Sequence, residues 1–191
     1  TVDAAVARAR QLVAEGASIV DIGGESTRPG AQPVSVADEL RRVLPVVEAV
    51  AEFVEVSIDT RHEEVAHAAV RAGATIVNDV SASLGGVAAD LGVGWVAMHM
   101  AGQPATMQDA PAYVDVVDEV LAYLVERAER ARHVGVERIW IDPGFGFGKT
   151  PAHNLQLLAA LDRFVGTGWP VLVGLSRKAP MGVLAAASDR R

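Results

Sequence analysis

The sequence predicts an α/β fold built on a parallel sheet with helical crossovers. Three observations predict it. Short apolar, β-branched runs recur along the 191 residues. Amphipathic helical patterns fill the intervals between them. Polar and charged residues gather where each apolar run ends.

The chain opens in a helical pattern over residues 3–15, which Gly16 ends. The runs "SIVDIG" (18–23), "FVEVSID" (53–59), "TIVND" (75–79), "WVAMHM" (95–100), "RIWID" (138–142) and "PVLVGLS" (170–176) follow. Continuous apolar character over a few residues suits strands buried on both faces, as in a parallel sheet. Residues 35–50 place Leu40, Val43, Leu44, Val47 and Val50 at helical spacing, with Ser35 as N-cap and Asp38 in the first turn. Residues 114–134 repeat the pattern. Thr60 and Thr150 are candidate N-caps, Pro151 suits a first helical position, and Gly73 stands at a helix end. The stretch 101–113 lacks periodicity and reads as a surface loop.

Two architectures fit such alternation. An open doubly wound sheet gathers ligands at one switch point, whereas a (β/α)8 barrel rings one site with all its strand ends. Here the runs end in Glu25-Ser26-Thr27-Arg28, Asp59-Thr60, Asn78-Asp79, His99, Asp142 and Ser176-Arg177-Lys178. Six successive loaded ends favour the ring, so the expectation is a single domain over 1–191 with about six βα units of a barrel.

Composition narrows the function. A net charge of -7 argues against nonspecific nucleic-acid binding, which needs a basic footprint. The absence of cysteine excludes disulfides, cysteine nucleophiles and thiolate metal sites. No apolar run reaches the roughly 18 residues of a membrane span, and cytoplasm is the expected location. No His/Asp/Glu spacing resembles a metal site.

The stretch "DPGFGFGKT" (142–150) is a near miss to two phosphate-binding patterns. The P-loop pattern would need glycine where Pro143 stands, and proline has no amide hydrogen for a phosphate. In the dinucleotide pattern the third glycine falls on Lys149. Asp142 reads equally as a turn residue before proline or as a site carboxylate. Asp59 and Asp79 also have a capping reading, Asn78 could serve backbone alone, and His99 reads first as a core histidine. Together, carboxylate, amide and ammonium groups with close glycines suit a flat heterocycle bearing an N–H edge and an attached anion. Phe147 offers an aromatic wall.

With "DIGGESTRPG" (21–30), "VSIDT" (56–60), "IVND" (76–79), "MHMAGQPATMQ" (98–108), "IDPGFGFGKT" (141–150) and "GLSRK" (174–178), the chain resembles the dihydropteroate synthase family of folate biosynthesis, the sulfonamide target. The resemblance implies a (β/α)8 TIM barrel and a transferase. Its reaction joins 6-hydroxymethyl-7,8-dihydropterin diphosphate to 4-aminobenzoate, giving 7,8-dihydropteroate and diphosphate with Mg2+ assisting. It implies a pterin pocket of Asp59, Asn78, Met98, Asp142, Gly146 and Lys178, with Asp59, Asp142 and Lys178 catalytic. Thr27, Arg28, Pro29 and Phe147 match the aminobenzoate site. The implied partners are these small molecules and a second copy in a homodimer.

The sequence departs from the family pattern at both ends. It starts in the helix after a first strand whose loop carries the asparagine ligand of the metal, and stops at Arg191, before a final strand with an Arg-x-His pair. Ala179 stands where many members have serine, and Pro180 is unusual there. The resemblance therefore implies an internal piece of a synthase, with little turnover expected of these 191 residues alone. A non-catalytic pterin-binding fragment is the alternative. A corrinoid-linked methyltransferase is a more distant one, against which "GESTRPG" and "SRK" speak.

Overall fold

The computed structural model describes residues 1–26, 32–102, 106–108 and 110–175. Thr27, Arg28, Pro29, Ser176, Arg177, Lys178, Ala179 and Pro180, all singled out above, lie outside the described residues.

Helix and strand alternate in the order α1 (Val2–Ala14), β1 (Ile19–Gly23), α2 (Val36–Ala51), β2 (Glu55–Asp59), α3 (Glu63–Arg71), β3 (Ile76–Asp79), α4 (Gly85–Leu91), β4 (Gly94–Met98), α5 (Val116–His133) and β5 (Ile139–Asp142). Two shorter helices follow, α6 (Pro151–Ala159) and α7 (Leu161–Val165). The strands form one parallel sheet in the order β1-β2-β3-β4-β5. The sixth apolar run, expected as a strand over 170–176, pairs with β5 among the described residues only through a parallel bridge between Ile141 and Val171. Two backbone bonds carry that bridge, Ile141 N–H to the Pro170 carbonyl and Leu172 N–H to the Ile141 carbonyl, each at 2.9 Å.

Strand order settles the choice of architecture. A doubly wound sheet reverses its order at the switch point. Here the order follows the chain without reversal, so right-handed crossovers put every helix on one face. Side-chain alternation agrees. Val20, Val56, Ile58, Val77, Trp95, Ala97, Ile139 and Ile141 are buried in a core shared with helix residues such as Val43, Val47, Val50, Val65, Val120 and Leu124. Each fully buried Val, Leu or Ile is worth about 1.5–3 kcal/mol. The intervening strand residues, including Asp21, Ser57, Asp59, Asn78, Val96 and Met98, must therefore point to the opposite, inner face. A parallel sheet with helices on one face only is the wall of a barrel, and its interior is where these polar groups stand.

Local signals explain the boundaries. Ser35 Oγ accepts from Asp38 N–H at the start of α2. Thr150 and His153 form a reciprocal capping box at α6, with Pro151 in its first turn. Gly16 and Gly73 follow the ends of α1 and α3. Thr60 differs from expectation: its hydroxyl accepts from His62 N–H, and α3 begins one residue beyond His62. Thr60 closes the turn after β2 and does not cap the helix.

Candidate active site at the strand ends

The inner face turns polar toward the C-terminal ends of the strands. Parallel register puts Gly23 beside Asp59 and Asp59 beside Asn78, and further along the wall Met98 beside Asp142. Asn78 donates from Nδ2 to Asp21 Oδ2 at 3.1 Å. A Cβ on Gly23 would lie 3.2 Å from both Cβ and Oδ2 of Asp59, so glycine there leaves room for the Asp59 carboxyl. The Asp59 Oδ1 atom is buried without a hydrogen-bond partner. Burial raises the Asp59 pKa to about 8, reinforced by the nearby carboxylates of Asp21, Glu39, Asp79 and Glu25. Asp21 is also raised, by the protein atoms crowding the barrel mouth, although solvent reaches part of its surface. Hydrogen bonds from Ser57 and Asn78 oppose that rise. A buried carboxyl with an unused oxygen is costly unless a partner arrives, and such groups cluster at functional sites.

Asp142 ends β5 and is buried. Its Oδ1 accepts from Gly144 N–H at 2.8 Å, so the capping reading of this residue holds for one oxygen. The loop it anchors is held from several sides. Lys149 is 2% exposed. Its Nζ donates to the carbonyls of Gly144, Phe147 and His99 at 3.0, 3.0 and 3.1 Å, and to His99 Nδ1 at 2.9 Å. Asn154 accepts from Gly146 N–H at 2.8 Å and donates to the Thr150 carbonyl at 2.7 Å. Gln108 Nε2 donates to the Gly146 carbonyl at 2.6 Å. Gly144 and Gly148 have φ of +68° and +61°, and a Cβ on them would lie 1.9 and 2.4 Å from the carbonyl oxygens of His99 and Ala101. No L side chain fits there, which accounts for the alternation of glycine with phenylalanine. Phe145 turns into the core while Phe147 stays half-buried beside the glycines.

His99 is a structural histidine, as its core reading predicts. Burial, then the Lys149 charge, pushes its pKa down to about 3. With Nδ1 accepting from Lys149, the proton sits on Nε2. The ring meets Tyr123 edge-on at 5.1 Å and Tyr113 at 6.1 Å. Asp79 is also structural. It is fully buried on the helix side and accepts from Ser81, Ser83 and Leu84 N–H at 2.9, 2.7 and 2.7 Å, and from Trp95 Nε1 at 3.3 Å. Such an arrangement fixes the β3–α4 turn and leaves no room for a ligand role.

The sequence reading missed a brace behind the β1–α2 segment. Glu25 accepts a fork from Arg61, Nε to Oε2 at 3.0 Å and NH2 to Oε1 at 3.2 Å, and also accepts from Val34 N–H at 3.1 Å. Burial pushes the Glu25 carboxyl up, but the Arg61 fork and the Val34 bond outweigh it and hold the group below its usual range. Glu39 is fully buried and bonds His62 Nδ1 at 2.7 Å through Oε2, while its Oε1 is unpaired. Partners 36 and 23 residues apart leave no local sequence signal. Glu25, Glu39 and His62 are near enough to share a metal ion. Arg61 and Val34 engage Glu25, and His62 engages Glu39 Oε2. This leaves Glu39 Oε1 as the one unpaired carboxylate oxygen among them, and a hard, octahedral Mg2+ that needs several oxygens does not fit them.

Among the described residues, no helix is long and apolar enough to cross a membrane. Comparison with known proteins agrees with this fold. A family model described as pterin binding enzyme matches residues 1–191. Dihydropteroate synthase of Escherichia coli (strain K12) is 48% identical over 188 residues, which cover 94% of this chain and 67% of the relative. A structure of Xanthomonas albilineans dihydropteroate synthase with 4-aminobenzoic acid superposes with a TM-score of 0.89 at 50% identity, covering 100% of this chain and 69% of that one. The same enzyme in complex with 7,8-dihydropteroate gives a TM-score of 0.84 at 45% identity, with the same coverage of 100% and 69%. The chain belongs to the pterin-binding enzyme family and, within it, to the dihydropteroate synthases.

Proposed function

We propose that the protein joins 6-hydroxymethyl-7,8-dihydropterin diphosphate to 4-aminobenzoate, forming 7,8-dihydropteroate and diphosphate. One observation carries the reading at residue level. The inner-face groups at the strand ends include an amide, Asn78, and two carboxyls, Asp59 and Asp142, and Asp59 keeps a buried oxygen without a partner. That set suits the N–H edge of a pterin, which would supply the missing donor.

In this proposal Asp59, Asn78, Met98, Asp142, Gly146 and Lys178 hold the pterin. Thr27, Arg28, Pro29 and Phe147 hold aminobenzoate. For Lys178, Thr27, Arg28 and Pro29 the support is the sequence match alone. The chemistry follows from charge. Breaking the pterin methylene C–O bond releases diphosphate and leaves a cationic pterin. The Asp142 carboxylate stabilises that charge from a fixed position, and Asp59 joins it once the bound pterin's N–H donors have driven its proton to solvent. The amine of aminobenzoate then bonds to the methylene carbon and loses one proton. Burial and the neighbouring carboxylates hold a proton on Asp59 in the ligand-free protein, and a ligand's N–H donors and positive charge favour its release.

Mg2+ enters this proposal only with the diphosphate, whose charge it would neutralise. None of the clusters among the described residues fits it. One domain over residues 1–191, a cytoplasmic location and a homodimer belong to the same proposal and are carried by the resemblance.

The test is product analysis on the full gene product given pterin diphosphate and aminobenzoate. The proposal expects dihydropteroate and diphosphate in equal amounts, with both substrates required. Pterin binding without product would support a non-catalytic pterin-binding protein instead.

A further inference from the structure

Asp21 is the one inner-face carboxylate at this end of the sheet to which the proposed mechanism gives no role. It stands on β1 beside Ser57 in register, and its Oδ2 accepts from Asn78 Nδ2 at 3.1 Å. A carboxylate only accepts, whereas an amide has one accepting and one donating end. The bond to Asp21 therefore sorts the two ends of the Asn78 side chain. Its nitrogen is drawn to β1, and its Oδ1 with the remaining N–H is left for the barrel mouth. Without Asp21 the amide could turn over and present its groups in the opposite order.

We propose that Asp21 is a positioning residue for pterin recognition, its carboxylate fixing which way the Asn78 amide faces. The proposal rests on the pterin reading given above. Its physical content is coupling: Asp21 acts on the pterin through Asn78. Ser57, one strand over, holds the Asp21 carboxylate in turn. The length of the Asp21–Asn78 bond is that of an ordinary hydrogen bond, and hydrogen bonds to a charged partner are among the stronger ones.

The experiment is a double-mutant cycle on the full gene product. Dissociation constants for 6-hydroxymethylpterin are measured by calorimetry, and folding is checked by thermal melts. Asp21→Ala is expected to weaken binding about tenfold, and Asn78→Ala by roughly 10- to 100-fold. The double variant is expected to match Asn78→Ala alone, because Asp21 has nothing left to orient. Asp21→Asn offers a donating end as well as an accepting one, so it no longer sorts the Asn78 amide, and is expected to weaken binding by an amount between the parent and Asp21→Ala. If Asp21→Ala does not fold, Asp21→Val, a residue suited to a strand, serves as the acceptor-free variant.

Unchanged affinity in the acceptor-free variant, with Asn78→Ala weakened, overturns the proposal and leaves the pterin reading standing. So do multiplicative effects in the double variant, or an Asp21→Asn variant that binds as tightly as the parent. Unchanged affinity in Asn78→Ala overturns both the proposal and the assignment of Asn78 to the pterin.

Discussion

Lys149 Nζ donates to His99 Nδ1 across 2.9 Å, joining a loop lysine to a histidine 50 residues earlier. The lysine of "FGFGK" thus works inward as a brace, where a P-loop lysine would reach for phosphate. It ties the Asp142 loop to the end of β4 through two acceptors on His99 and braces the loop itself through the carbonyls of Gly144 and Phe147.

Removing that brace is costly. Lys149→Met leaves buried acceptors on His99, Gly144 and Phe147 without this donor, and each such loss costs about 1–3 kcal/mol. A destabilisation on the order of 3 kcal/mol, partly relieved by local shifts, lowers Tm by roughly 6–12 °C. Thermal melts of parent and variant check it. An unchanged Tm would mean that the loop holds itself.

His99 stays neutral across the physiological range. Its pKa, lowered to about 3 by burial and the Lys149 charge, lies below the ordinary 6.5. The unfolded chain therefore takes up a proton that the folded state refuses. This contribution to stability is complete above pH 6.5 and declines as pH falls toward 3. Nitrogen-detected NMR should show a fixed Nε2–H imidazole from pH 8 to pH 5. A titration midpoint near 6.5 would contradict the buried pair.

Asp59 works in the opposite direction. Its pKa, raised from 3.8 to about 8 by burial and then by Asp21 and the other carboxylates, means that the folded state keeps the proton longer than the unfolded chain. Stability from this group is full below pH 4, declines as pH rises toward 8, and is flat beyond. Asp59→Asn removes the decline. In the ligand-free protein, its Tm relative to the parent should be near parity at pH 4 and should climb to a clear gain by pH 8. Each kcal/mol is worth roughly 2–4 °C. A gain independent of pH would place the effect elsewhere.

Gly144→Ala tests the loop's packing. The substitution needs a positive φ of +68° and puts Cβ 1.9 Å from the His99 carbonyl oxygen. The left-handed conformation alone costs about 1–3 kcal/mol, and the clash adds to it. The expected result is a protein that melts well below the parent and binds pterin poorly. A variant with parent-like melting and binding would show that β4 and the loop can move apart.

Much of this was legible in the sequence because it is local. Continuous apolar runs located β1 to β5, period-3.6 patterns located the long helices, and Ser35 and Thr150 marked the starts of α2 and α6. Asn78 and Asp142 were read at strand ends from the residues alone. Side-chain alternation along a strand would have separated Asn78 from Asp79, since neighbours on a strand face opposite sides. It would also have put Asp21 on the inner face with Asp59, and only the motif's length hid it. The α4 helix escaped notice because "GGVAADL" has two glycines and no capping side chain. The Arg61–Glu25 and His62–Glu39 pairs and the Lys149 brace join distant segments, and no local pattern records them.

The most direct test of the central claim is pterin binding by Asp142→Asn in the full gene product. The substitution keeps shape but turns one carboxylate oxygen into a donor facing the N–H edge of the ring. One buried charge-assisted pair is lost and a donor–donor conflict is added, so the 6-hydroxymethylpterin dissociation constant measured by calorimetry should rise by about 100-fold or more. Thermal melting near the parent's would place that loss in the site. An unchanged dissociation constant would contradict the reading of the strand ends as a pterin pocket.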